Sequence, residues 1–279
     1  MKKYLIILTC LVLGLLGFLI SGLFYLDKEI QEIKGFLASD QRISEMSRHY
    51  QKLLEHFVLL KAKEGVQTGR YDNARMDFDK LLELNPEVKQ ANYEMALMAF
   101  KQNDIESAMV YALAEEKVNE WAIDNLVLLG TLFTLNKDYV KAESYFERVL
   151  QSEAFHFEAT NNLAEIYRMK NEPSKAVSKL DAYLLANKND DFMRFKLYMA
   201  RLSDGEVDGV AERTFNYLND NPKNGYLHLV AVCLYLLKDD ADSASKHLAI
   251  SKTLVPAARF SMAIKDELLK KLLIGAGLH

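Results

Sequence analysis

The chain is poor in the residue patterns that chemistry needs. Its six histidines (His49, His56, His156, His228, His247, His279) are scattered, with no H-E-x-x-H, and its two cysteines, Cys10 and Cys233, form no C-x-x-C. There is no Gly-rich phosphate loop and no serine in a G-x-S-x-G elbow. Carboxylate neighbours such as Glu115 and Glu116 diverge on a helix instead of facing each other. His49 and His56, with Glu45 one turn before, read as exposed polar residues of a helix, not as a metal site. No catalytic residue, metal or cofactor is therefore expected, and the chain does not read as an enzyme. Basic blocks are missing too: 35 Lys and Arg are mixed among 39 Asp and Glu, which argues against nucleic acid as a partner.

Proline is scarce as well, but its placement is informative. Three of the four prolines (Pro86, Pro222, Pro256) share one phase of a 34-residue period. The same step generates Ala62, Ala96, Gly130, Ala164, Tyr198 and Val232, and also Ala74, Ala108, Ala142, Ala176, Val210 and Ala244. Small residues at two fixed places per period let paired helices approach closely, while Phe78, Phe146, Leu180 and Leu248 fill the space between successive pairs. Such a pair cannot bury its apolar face alone, so stacking must supply the core. Between the helices of each pair fall Gly69, Asn103, Lys137, Asn171, Gly205 and Asp239, where the chain has to turn out of a helix.

Leu126, Leu129, Gly130, Phe133, Ala142 and Phe146 match the W-x2-L-G-x2-Y, A-x3-F pattern with Leu for Trp, so the chain resembles the tetratricopeptide repeat family. The expected fold is all-α: a solenoid of six helix–turn–helix repeats (55–88, 89–122, 123–156, 157–190, 191–224, 225–258) with a capping helix over 259–274 and a tail over 275–279. Gly65 and Arg201 stand where a bulky aromatic is expected, and Thr214 replaces a large apolar residue. The first and fifth repeats should therefore pack less well. In the capping helix, Phe260, Ile264, Leu268 and Leu272 form the greasy face, with Lys265, Asp266, Glu267, Lys270 and Lys271 on the wet one.

Ahead of the repeats, residues 4–26 carry no charge and reach about 34 Å as a helix, enough to cross a bilayer core. A cleaved signal would have a shorter apolar run and an A-x-A-like site, and Ile7-Leu8-Thr9 lacks the small residues that precede a lipoprotein cysteine. Residues 1–26 thus read as a retained single-span anchor, and residues 27–54 as a helical stalk. Lys2 and Lys3 before the span, with Asp27, Glu29 and Glu32 after it, suggest an inner (cytoplasmic) membrane protein with its amino terminus inside and its repeats in the periplasm or outside. Gly17 and Ser21 form a small-xxx-small pair, and with the apolar stripe of the stalk they open the way to a homodimer.

The resemblance implies that the first helix of each repeat lines an inner wall. The candidate protein-binding residues on it are Tyr93, Leu97 and Phe100, then Asn161 and Glu165 (with Arg168 beside them), then Phe192, Phe195 and Met199, then Tyr226, Leu229 and Cys233. The Lys, Asn and Arg clamp by which some family members grip a terminal carboxylate is absent: Leu59, Lys63, Glu94, Asp124 and Leu128 occupy its positions. Phe195, Met199 and Tyr226 have a plainer reading, as packing between adjacent helices. The expected function is a membrane-tethered scaffold that binds a peptide or helix of another envelope protein, with the lipid bilayer met only through residues 4–26. The alternative is a self-assembling component of an envelope machine such as a pilus, secretion or translocation complex.

Overall fold

The structure, a computed structural model, describes residues 41–278. The anchor expected over 4–26 and the stalk up to residue 40 lie outside them. Among the described residues there are fourteen α-helices and no strand, and none of the helices is long and apolar enough to cross a membrane. They fall into two compact units, one ending at Ala91 and the next beginning at Asn92.

In the first unit, α1 (Gln41–Gln67) packs against α2 (Tyr71–Leu84). The expected boundary between stalk and first repeat, at residue 55, is not a break: one helix runs through it. The sequence offers no reason to stop, since α1 contains no proline and its one glycine, Gly65, lies in the last turn. Gly65 serves the pairing with α2, because a Cβ there would sit 3.0 Å from that of Ala74. Lys61 and Asp77 add an ion pair at 2.9 Å, and Asn85 hydrogen-bonds Glu55 at 3.1 Å.

The second unit holds α3 (Ala91–Lys101), α4 (Ile105–Val118), α5 (Ile123–Leu135), α6 (Tyr139–Ser152), α7 (Phe157–Met169), α8 (Pro173–Ala186), α9 (Asp191–Ser203), α10 (Val207–Asp220), α11 (Gly225–Leu236) and α12 (Ala241–Leu254). Two short helices follow, α13 (Ala257–Ala263) and α14 (Glu267–Gly275). Second helices pack on the next repeat's first helix (α4 on α5, α6 on α7, α8 on α9, α10 on α11), and first helices α5, α7, α9 and α11 pack successively on one another.

The 34-residue period is written into the backbone. Gly69, Asn103, Lys137, Asn171, Gly205 and Asp239 all have positive φ, between 58° and 88°. Each time the next amide reaches back to the helix just ended, as Asp104 N–H to the Ala99 carbonyl (2.9 Å) and Asp240 N–H to that of Tyr235 (3.0 Å). This left-handed exit satisfies carbonyls that a helix end otherwise leaves orphaned. After three of the six turns the following helix opens at once on a side-chain cap: Asp104, Asp138 and Asp240 accept the amides of Ser107, Lys141 and Ser243, whereas Arg70, Glu172 and Glu206 make no such bond. Those amide bonds hold the carboxyls of Asp138 and Asp240 below the usual range.

The small-residue columns are buried throughout, and Gly130 shows why one position admits no side chain: a Cβ there would lie 2.7 Å from the ring of Phe146. The fifth repeat substitutes polar groups for apolar ones. Arg201 reaches Asp181 and Glu206, each at 2.7 Å, and Thr214 is fully buried with no hydrogen-bond partner for its hydroxyl.

The single helix expected over 259–274 is instead two, broken between Ile264 and Asp266. Asp266 ends the continuity by capping α14, accepting the amides of Leu268 (3.1 Å) and Leu269 (3.2 Å). The break changes which face is buried. Ala263, Asp266, Leu269 and Leu273 point inward, whereas Phe260, Ile264, Leu268 and Leu272 are half-buried. Asp266, read as a wet residue, has a side chain with 0% exposure. α14 does meet the last repeat, through α11, and packs on α9 of the repeat before it as well.

Candidate protein-binding wall

The first helices bring the candidate residues together in two separate groups. Tyr93, Leu97 and Phe100 lie along α3, half-buried, against a core of Ala96, Ala99, Ala108, Leu128, Leu129 and Leu132. Burial, then the charges of Asp124 and Glu94, push the Tyr93 hydroxyl up to about 12, so it stays a neutral donor over the physiological range.

The second group is larger. Phe192, Phe195 and Tyr226 form a ring cluster with centroids 5.6–6.4 Å apart, within the range of favourable aromatic pairs. Phe157 joins it at 6.1 Å from Phe192. Phe195, Met199, Leu229 and Cys233 are fully buried, and the Cys233 sulfur lies 3.8 Å from that of Met199. Burial, then the charge of Asp266, push the Cys233 thiol well up, which keeps it a small apolar group instead of a nucleophile.

Between the aromatic rings and α7 runs a line of charge. Glu165 pairs with Lys196 of α9 and, at 3.4 Å, with Arg168. Arg168 in turn grips Asp266 by both oxygens, with the second contact at 3.3 Å. Its side chain is only 8% exposed, so burial works against its charge, but Asp266, with Glu165 and Glu267 behind it, holds the guanidinium above its ordinary range. Asn161 is half-buried one turn before Glu165, with its side-chain oxygen buried and unpaired.

Besides Phe157 and Lys196, two residues of this site were not among the sequence candidates. Asp266 is one, and Arg259 is the other: its guanidinium lies 5.4 Å from the Phe192 ring centre and 5.8 Å from that of Phe157. The first had a local signal, since an Asp directly before an apolar helical run is a helix-start signature. Arg259 had none, because its partners are distant in sequence. No group of three or more His, Cys, Asp or Glu among the described residues is arranged to hold a metal ion.

The architecture is thus an all-α solenoid of helical hairpins repeating every 34 residues. The tetratricopeptide repeat model matches residues 59–119 and 129–192, so these segments are similar to tetratricopeptide repeats, which in general are protein-interaction modules without a catalytic role of their own. Mouse DnaJ homolog subfamily C member 3 is 22% identical over 216 residues, 73% of this chain, and the chain spans 39% of that protein's length. Among solved structures, that of Pseudomonas aeruginosa pilF superposes with a TM-score of 0.57 at 15% identity, over 78% of this chain and 99% of the other. A tetratricopeptide repeat protein from Parabacteroides merdae gives 0.52 at 14% identity, over 89% and 98%. These two likenesses are of fold.

Proposed function

We propose that the chain is a membrane-tethered scaffold whose first-helix wall binds a peptide or helix of another envelope protein. The observation that carries this reading is the half-exposed row Tyr93, Leu97 and Phe100 on α3, an apolar strip on an element where the fifth and sixth repeats bury the corresponding residues. Apolar side chains at spacing three and four suit an extended or helical peptide. The uncharged run over 4–26 supports the tether, and tethering raises the local concentration of membrane partners. The amino terminus then lies inside and the repeats in the periplasm or outside.

A photo-crosslinking amino acid at Leu97 or Phe100 in intact cells tests the wall, with Val110, 62% exposed on the second helix of the same repeat, as control. Discrete adducts from 97 and 100 but not from 110 support the reading; equal labelling at all three ends it. Protease accessibility on membrane vesicles tests the side on which the repeats lie.

A second reading, self-assembly within an envelope machine, draws on α1. Leu53, Phe57 and Leu60, spaced as one helical face, are each more than half exposed. Sedimentation in detergent at rising concentration decides it: a dimer that Phe57→Glu with Leu60→Glu dissolves supports it, and a monomer throughout rejects it.

A further inference from the structure

α14 and Arg259 of α13 lie on the first-helix wall in the manner of a bound peptide. The 34-residue period does not call for them there, and the contacts they make are specific. Arg168 is the only charged member of its column, whose other positions hold Val66, Phe100, Thr134, Leu202 and Leu236. A buried cation at one place on an apolar wall is costly unless a carboxylate is delivered to it. Asp266 delivers it, from 98 residues away, and the same carboxylate starts the helix that lies beyond. Leu269 and Leu273, one turn apart, then complete the buried cluster that contains Phe195, Met199 and Cys233. Lys270, Lys271 and Ile274 face away. The fit is incomplete, since Nε of Arg168 is buried with no hydrogen-bond acceptor. A ligand that brings one more acceptor has an advantage over the resident segment.

We propose that the wall of α7, α9 and α11 is a receptor for an amphipathic helix with a carboxylate at its N-cap and leucines three and seven residues further on, and that α14 holds this site in cis until such a partner helix displaces it. The proposal rests on the scaffold reading and adds the chemistry of the partner. Held by a short connection, α14 competes at an effective concentration on the order of millimolar. A free peptide at micromolar concentration is therefore excluded while α14 is sound.

The test uses the full chain in detergent and a fluorescent peptide copying residues 264–278, followed by anisotropy. The wild type should show no saturable binding at micromolar peptide. Leu269→Asp with Leu273→Asp, which loosens the chain's own α14, should raise affinity at least about tenfold. Adding Arg168→Asp should abolish that binding, and a peptide carrying Asp266→Arg should restore it. Equal affinity for wild type and loosened chain, or indifference to the charge exchange, overturns the proposal. Hydrogen exchange on the wild type gives a second readout that needs no variant. The α14 amides should exchange before those of α9 and α11, and millimolar unlabelled peptide should speed them further. Exchange of α14 only together with α9 and α11, unmoved by peptide, overturns the proposal as well. Failure here with crosslinks at Leu97 retained removes this proposal alone, whereas loss of those crosslinks removes the scaffold reading.

Discussion

Helices α3 and α9 occupy the same place in repeats three periods apart, and their outward residues correspond: Tyr93 to Phe195, Leu97 to Met199, Phe100 to Leu202. On α3 all three are half-buried; on α9 all three are buried. Side-chain chemistry does not explain the difference, because both trios are apolar. What differs is that α14 packs on α9, with Leu269 and Leu273 in the same cluster. One position in a repeat can thus be surface or core, according to what another part of the chain does.

The sharpest way to break this comparison is to truncate one residue on each side. Phe195→Ala should cost about 3–5 kcal/mol in denaturant unfolding followed by circular dichroism, against about 1 kcal/mol for Leu97→Ala, which is only half-buried. Equal losses would mean that the cover over α9 contributes little. Asp266→Ala should also cost about 3–5 kcal/mol, because it leaves the Arg168 guanidinium buried without its counter-charge. A loss below about 1 kcal/mol would show that Arg168 escapes to water and that the cover is loose.

A smaller effect, of opposite sign, is expected in the fifth repeat. Thr214→Val removes a buried hydroxyl that has no partner, so it should stabilise by about 1 kcal/mol, read as a rise in melting temperature. Destabilisation would mean that the hydroxyl is satisfied after all. The smallest effect is the pH response of the pair behind the wall. His228 Nε2 lies 3.0 Å from the Pro222 carbonyl, and its Nδ1 is 2.8 Å from Nδ1 of His247. Burial, then the proximity of His228, lower the His247 pKa from its ordinary 6.5. The unfolded chain therefore binds more protons just below 6.5. This contribution is complete above that pH and is lost as pH falls through the folded value. The denaturant midpoint should be lower at about pH 5 than at pH 7.5, and His247→Gln should flatten the slope.

The repeat itself was legible because its determinants are local. A turn needs its left-handed residue within the turn, and a close helix pair needs its small residue at the crossing, so Asn103 and Ala108 can be read off one repeat at a time. Even Lys137, a poor choice for positive φ, was placed correctly by period alone. The cover was not legible. Periodicity gave 259–274 one helix and one face, but the cap at Asp266 divides it, and the partner that fixes its place is Arg168, 98 residues earlier. Of the candidate wall, sequence supplied the first-helix residues and a packing reading for Phe195, Met199 and Tyr226; it had no means of placing α14 over α9 and α11. The tension at Arg201 and Thr214 was visible, whereas the way Asp181 and Glu206 answer Arg201 was not.

The Arg168–Asp266 link also has a bearing on biosynthesis. Contacts in the rest of the array join segments made within moments of each other, but at roughly 5–20 residues per second the 98 residues between these partners take roughly 5–20 s to translate. From the end of α9 until Asp266 is made, the aromatic face of α7 and α9 is present yet naked, with Arg168 lacking its closest counter-charge. A nascent chain in that state is the form most open to capture by a holding chaperone, or by a client that reaches it before Asp266 has been polymerised.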